Sequence, residues 1–319
     1  MIGRAHVYEI PMRSRFRGIA SRQGVVFEVA GRWGEFCPFP EYGDDEARAW
    51  LQSALEQSAD CWPSPVRDRI PVNCIIPAVN GATAWALTAS SGCRTAKVKV
   101  ADLPDSLGAD IARVEAVRDA LGGNGKIRID ANGAWDVDDA VRHIRLLDRA
   151  AQGLEYVEQP CRSIEDMAAV RRRVTVRVAA DESIRRAADP LRVSRAGAAD
   201  VAVVKCAPLG GVRRALEVVE RIGLPCVVSS ALETSVGLAA EVALAAALPD
   251  LDFACGLDTL TLIDGDLVTE ENAIRPVDGV IHVSGCPPTP DPAMLQRYTM
   301  TDPDQERFWL MRLRRLSLQ

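Results

Sequence analysis

At 319 residues, 48% of them hydrophobic, the chain is long enough to bury the core of one large domain or two modest ones. Its 38 basic and 44 acidic residues leave a net charge of −6 with both signs mixed along the chain, which argues against a nucleic-acid or polyanion partner. Nine cysteines without a CxxC pair favour reduced thiols in a cytoplasmic setting, and neither MIGRAHVYEIPMRSRF nor the apolar run 237–248, interrupted by Glu241, suits a secretory signal or a membrane span.

The first 70 residues read as an α+β unit, with strand-like VVFEVAG, the turn-rich GEFCPFPEYGDD and a helix over about 44–58. From there short β-branched runs alternate with helical stretches. Strands are expected at 72–78, 96–100, 127–130, 154–158, 177–181, 201–205, 225–230 and 252–256, with helices at 105–121, 136–150, 163–173, 211–222 and 235–247. Eight parallel strands with intervening helices predict a (β/α)7β TIM-like barrel, for which an open doubly wound sheet is the rival arrangement. The tail holds another strand candidate, GVIHVS, and a basic end that returns to the first unit. The expected division is therefore an α+β capping domain, 1–70 plus about 275–319, and a catalytic barrel, 71–274. No repeat beyond the βα period and no low-complexity tract is present.

Ionisable residues recur at the C-terminal ends of these strands: Lys97 and Lys99, Asp130, Glu158, Asp181 and Lys205, one βα unit apart. In a barrel those ends meet at one mouth, where active sites of this architecture lie. Three carboxylates on adjacent strands, without His or Cys, make a hard-oxygen site suited to Mg2+, with Mn2+ as a substitute. Taken singly, each acid also fits a helix cap or a solvated loop. Only four lysines, Lys97, Lys99, Lys126 and Lys205, stand among the basic residues, and lysine, unlike arginine, can give up its proton. Lys97 and Lys99 share one face of a strand, and two ammonium groups so close, with a metal ion near, are expected to have their pKa lowered towards that of a base. Lys205 is expected across the cavity from them, as acid, base or electrostatic support; a salt bridge to Asp181 or Glu182 is the bland alternative.

The KVK pair at 97–99, RIDAN at 128–132, EYVEQP at 155–160, AADES at 179–183 and VVKCAPLGG at 203–211 resemble the motif series of the enolase superfamily, muconate-lactonizing-enzyme subgroup. GEFCPFPEY is similar to part of that family's capping domain. The resemblance implies that Asp130, Glu158 and Asp181 bind magnesium and that Lys99 and Lys205 are paired acid/base lysines. Within the subgroup the likeness is greatest to the o-succinylbenzoate synthases, actinobacterial type. It implies a syn dehydration of 2-succinyl-6-hydroxy-2,4-cyclohexadiene-1-carboxylate in menaquinone biosynthesis, with Lys99 as base and Lys205 as the cation beside the ring.

Specificity is open to several readings. Dipeptide epimerases carry an Asp-x-Asp at the eighth strand end, where this chain has Gly256, Leu257 and Asp258. The three histidines fall outside strand ends, which disfavours a His–Asp racemase. A small-molecule carboxylate substrate with a second carboxylate needs donors, and Ser229, Ser230, Gly256 and Arg128 are candidates, as are Arg13, Arg15 and Arg17 in an expected loop over the mouth. Asn132 and Glu182 are expected to support the metal ligands and the lysines, Trp135 to wall the pocket or pack beneath it, and PLGG to form a tight turn. An N-acylamino acid racemase or related epimerase is the alternative activity, and a non-catalytic ligand-binding barrel a third; oligomeric state is left open.

Overall fold

The computed structural model describes every residue except Met1, Arg17, Asp60, Cys61, Ala187, Ala188 and Gln319, and of Ser14, Arg15 and Phe16 the backbone only. The chain opens with three antiparallel strands, β1 (Ala5–Phe16), β2 (Ile19–Val29) and β3 (Arg32–Phe36), followed by helix α1 (Asp44–Gln57). Three acids in the first turn of α1, Asp44, Asp45 and Glu46, complement its dipole, and its apolar side buries Trp50 and Leu51.

A short strand, β4 (Arg69–Pro71), leads into the barrel. Its order is β5 (Cys74–Ile76), α2 (Gly81–Ser90), β6 (Thr95–Lys99), α3 (Leu107–Leu121), β7 (Lys126–Asp130), α4 (Val137–Ala150), β8 (Tyr156–Glu158), α5 (Ile164–Arg171) and β9 (Val178–Ala180). Then come α6 (Glu182–Arg185), α7 (Arg192–Arg195), β10 (Val201–Val204), α8 (Cys206–Leu209), α9 (Val212–Ile222), β11 (Cys226–Val228) and α10 (Ser235–Ala247). Several helices start where the sequence supplies an acceptor: Asp136, Ser163 and Thr234 each take a backbone N–H of the first turn.

Strands β5 to β11 form one parallel sheet in chain order. Residues 255–256 close it, since Cys255 pairs with Val72 before β5 and Gly256 pairs with Ser229 after β11. The eighth stave is thus only two paired residues long, and the open-sheet alternative is excluded. Gly256 is required there, because a Cβ would lie 2.6 Å from the Ser229 hydroxyl.

After the barrel, β12 (Val280–His282), the expected GVIHVS strand, pairs antiparallel with β4 at the entry to the barrel. The chain then forms α11 (Pro292–Arg297) and α12 (Pro303–Ser317), and α12 packs on α1, β1 and β2. Two buried or half-buried glutamates fasten the N-terminal unit to barrel helices. Glu35 accepts from Thr234 N, Thr234 Oγ1 and Gly237 N at the start of α10, and Glu56 accepts from Val212 N and Arg213 N at the start of α9. No helix among the described residues is long and apolar enough to cross a membrane. The eight described cysteines are free thiols, all buried except Cys286.

Candidate active site

Period-two alternation decides which side chains enter the barrel. Tyr156, Ala179, Val203 and Val227 form, with Val201 and Phe253, a buried cluster separate from the main core. Two residues further along the same staves stand Glu158, Asp181, Lys205 and Ser229. A filled lower layer therefore carries a polar layer at the mouth. On β6 and β7 the same step relates Lys97 to Lys99 and Arg128 to Asp130, and Lys99 pairs in register with Asp130, which pairs with Glu158.

At the mouth the charges interlock. Lys97 Nζ lies 3.1 Å from both Glu158 carboxylate oxygens and 3.6 Å from Asp130 Oδ2. Lys99 Nζ donates to the same Asp130 oxygen and, at 2.8 Å, to Asn132 Oδ1. Across the cavity Lys205 Nζ is 2.6 Å from Asp181 Oδ2, while Arg185 Nε holds the other Asp181 oxygen at 2.9 Å. Lys99 on the second stave and Lys205 on the sixth stand four staves apart in a ring of eight, on opposite walls.

Burial works against the Lys97 ammonium, but the Glu158 and Asp130 carboxylates outweigh it and hold its pKa well above the ordinary lysine value. For Lys97 these two carboxylates outweigh the lowering expected from a neighbouring ammonium group. Asp130 is pushed up by burial and pulled further down by Lys99 and Lys97, ending low. Glu158 is raised to about 7 by burial and then by the Asp130 charge, which together exceed the help from Lys97. Among the described residues no three acids converge in a ready-made metal cage, because ammonium groups stand between them. The donor set nonetheless fits a hard cation: three buried carboxylates at successive stave ends, one of them under-compensated.

Residues 81–289 match the family model described as enolase C-terminal domain-like, and residues 7–58 the enolase N-terminal domain-like model. The o-succinylbenzoate synthase of Thermobifida fusca is 59% identical over 283 residues, 89% of this chain and 87% of the relative. That of Mycolicibacterium smegmatis is 48% identical over 314 residues, 98% and 95% of the two chains. The chain belongs to the o-succinylbenzoate synthase family of the enolase superfamily. In fold it is similar to the muconate lactonizing enzyme of Pseudomonas fluorescens, with a TM-score of 0.80 at 22% identity, covering 94% of this chain and 99% of that one.

In this family member the central cavity has a volume of about 30 Å³ and is lined by Lys97, Lys99, Asp130, Asn132, Asp181, Lys205, Ser229 and Ser230, together with Phe39, Ile75, Ala231, Leu232 and Thr259. Ser230 Oγ donates to Glu233 and accepts from Thr259, and Ser229 Oγ faces the Gly256 carbonyl at 3.4 Å. A second cavity of about 730 Å³ shares Lys99 and Asn132 and opens beside Glu41, Tyr42 and Arg162. Asn132, at φ +47°, donates to Glu182, which also accepts from Arg185.

Other expected contacts are placed elsewhere. Arg128 is fully buried on the barrel floor, where it bonds Glu155, Asn73 Oδ1 and the Ala254 carbonyl and lies 4.7 Å over the Tyr156 ring. It shares the lumen with Asp130 but turns away from the cavity, because Glu155 and Tyr156 hold it below. Arg13 belongs to β1 and not to a loop, and its guanidinium bonds the Ile263 carbonyl and Asp264. Arg15 also lies on β1, with its side chain outside the described atoms, and Arg17 is outside the described residues. Trp135 stacks edge-on against His143 and does not line the cavity. Leu257 and Asp258 likewise lie off it, while Thr259 lines it.

Three contributors escaped the sequence reading. Phe39 brings the N-terminal unit into the cavity wall. Arg185 fixes Asp181, and its signal was the i,i+4 spacing inside DESIRR. Gln159, at φ +41°, accepts from the Asp181 and Ser183 amides and donates to Ser183 Oγ, so it sets the turn that presents Asp181.

Proposed function

We propose that this chain is an o-succinylbenzoate synthase, a lyase that dehydrates 2-succinyl-6-hydroxy-2,4-cyclohexadiene-1-carboxylate to o-succinylbenzoate in menaquinone biosynthesis. The observation that carries the reading is the 48% identity to a synthase over 98% of the chain, which spans both units and every residue of the lysine–carboxylate ring. Asp130, Glu158 and Asp181 are the assigned magnesium ligands. A divalent cation there would stabilise negative charge developing on the substrate carboxylate.

The remaining chemistry belongs to the chain. Lys99 takes the proton from the carbon next to the carboxylate and passes it to the hydroxide leaving from the same face. Its Nζ therefore ends the cycle in the protonation state in which it began. Lys205, anchored on the opposite wall by Asp181, stays cationic beside the ring as negative charge spreads into it. Charge balance favours this assignment. Lys97 and Lys205 stay cationic beside Asp130, Glu158 and Asp181 while Lys99 is neutral as the base, and a divalent cation entering with a dicarboxylate adds no net charge to this buried site.

Incubating the pure protein with magnesium and the cyclohexadiene substrate is expected to abolish the diene absorbance, and chelation to stop it. The opposed lysines also suit a racemase, since an α-proton can be exchanged from either face. In heavy water an N-acylamino acid should then exchange its α-hydrogen without elimination. Absence of dehydration together with fast exchange would reverse the assignment.

A further inference from the structure

We infer that Arg22 is a positioning residue, which sets the cavity wall by tying the Ala231–Leu232 segment of the barrel to Phe39 of the N-terminal unit. Arg22 sits on β2 and is fully buried. Its Nε donates to the Leu232 carbonyl at 2.9 Å, and one terminal nitrogen donates to the Ala231 carbonyl at 3.2 Å and to the Cys37 carbonyl. The guanidinium plane lies 4.7 Å from the Phe39 ring centre. Phe39, Ala231 and Leu232 all line the central cavity, so one side chain spans the seam between the two units at the place where both wall the site.

The backbone of Leu232 shows why such a tie is needed. At φ +68° it holds a left-handed conformation that a branched side chain adopts only under restraint from its surroundings. The restraint has two parts: Ser230 Oγ accepts from the Leu232 amide at 3.0 Å, and Arg22 holds the carbonyl. A planar fork with five fixed donors can address three carbonyls and a ring face together, whereas a lysine ammonium can reach one or two. Phe39, Ala231 and Leu232 border the cavity, so the space left for substrate depends on this wall keeping one place. Arg22 defines that place. It touches neither the lysines nor the acids, and its effect on turnover passes through the wall.

The test compares Arg22→Lys and Arg22→Gln with Arg118→Lys, a buried arginine that holds the carbonyls of Ala151, Gly122 and Gly125 at the far end of α3. Arg22→Gln is expected to raise KM about tenfold or more with kcat changed less than about threefold, and Arg22→Lys to restore part of the difference. Amide hydrogen exchange over 229–235 and 37–40 should quicken about tenfold in the Arg22 variants and stay unchanged in Arg118→Lys. The kinetic arm rests on the proposed function, but the exchange arm does not. An inactive wild type would defeat that function and leave exchange to decide the role of Arg22. An active wild type with unchanged exchange in these segments would overturn the inference, as would a loss of kcat and Tm at constant KM matching Arg118→Lys.

Discussion

On the barrel floor Arg128 is enclosed by Glu155, Asn73, a backbone carbonyl and the Tyr156 ring, whereas two residues further along the same strand Asp130 shares one carboxylate oxygen between Lys97 and Lys99. Both layers bury charge. The floor gives one cation a fixed set of partners through its Nε and one terminal nitrogen, which makes it a structural joint. The mouth spreads three acids and three lysines over five staves, so that each group depends on partners from other strands, and a ligand can take over a partner's role without a rise in net charge. Adjacent layers of one lumen thus divide stability from chemistry.

The largest effect expected from this division is at Lys99. Lys99→Ala should lower kcat by about 10³- to 10⁴-fold, the range of a lost general base. The circular dichroism spectrum should be unchanged and Tm nearly so, because Asn132 and Lys97 still surround Asp130. A variant that instead unfolds would show that the mouth, too, is structural, and the comparison would break. Arg128→Met is the converse. Removing the cation strands Glu155, which is only 13% exposed, and leaves the Asn73 carbonyl oxygen and the Ala254 carbonyl short of a donor. A stability loss of about 3–5 kcal/mol by urea denaturation is expected, with a smaller fall in activity per folded molecule than for Lys99→Ala. A stable Arg128→Met protein with Lys99-like inactivity would move Arg128 from the joint to the site.

Much of this was legible in the sequence because it depends on period and spacing. The expected strands and helices fall within a few residues of their spans, with the eighth strand reduced to two bridged residues and α2 and α12 unforeseen, and the ionisable stave ends gather at one mouth. What escaped depends on contacts far apart in the chain. Alternation places Arg128 and Asp130 on one face, but whether a long side chain turns up or down is decided by Glu155 and Tyr156 of the neighbouring stave. The run of Arg13 and Arg15 looks like a solvated turn until Met12 bridges to Ile263, whose carbonyl accepts from Arg13. Arg22 gives no signal in the sequence, because two of its acceptors, the Leu232 and Ala231 carbonyls, lie some 210 residues away.

Asp258 sharpens the comparison further, since it is a buried acid near the mouth without a lysine to match it. Burial raises its carboxyl to about 7, and only Arg275 opposes the shift, whereas Lys99 and Lys97 pull Asp130 down from a similar depth. Because the folded value lies above the unfolded one, the native state binds the extra proton between about pH 4 and 7. The group therefore costs nothing below that window, costs progressively more as pH rises through it, and levels off above 7. Asp258→Asn removes the titration while keeping the shape. Relative to wild type it should be near neutral at pH 4.5 and more stable at pH 8, by on the order of 2 kcal/mol in guanidinium denaturation. An equal effect at both pH values would mean that Asp258 ionises in the fold as freely as in the unfolded chain, and that burial near this mouth is tolerated without a cationic partner.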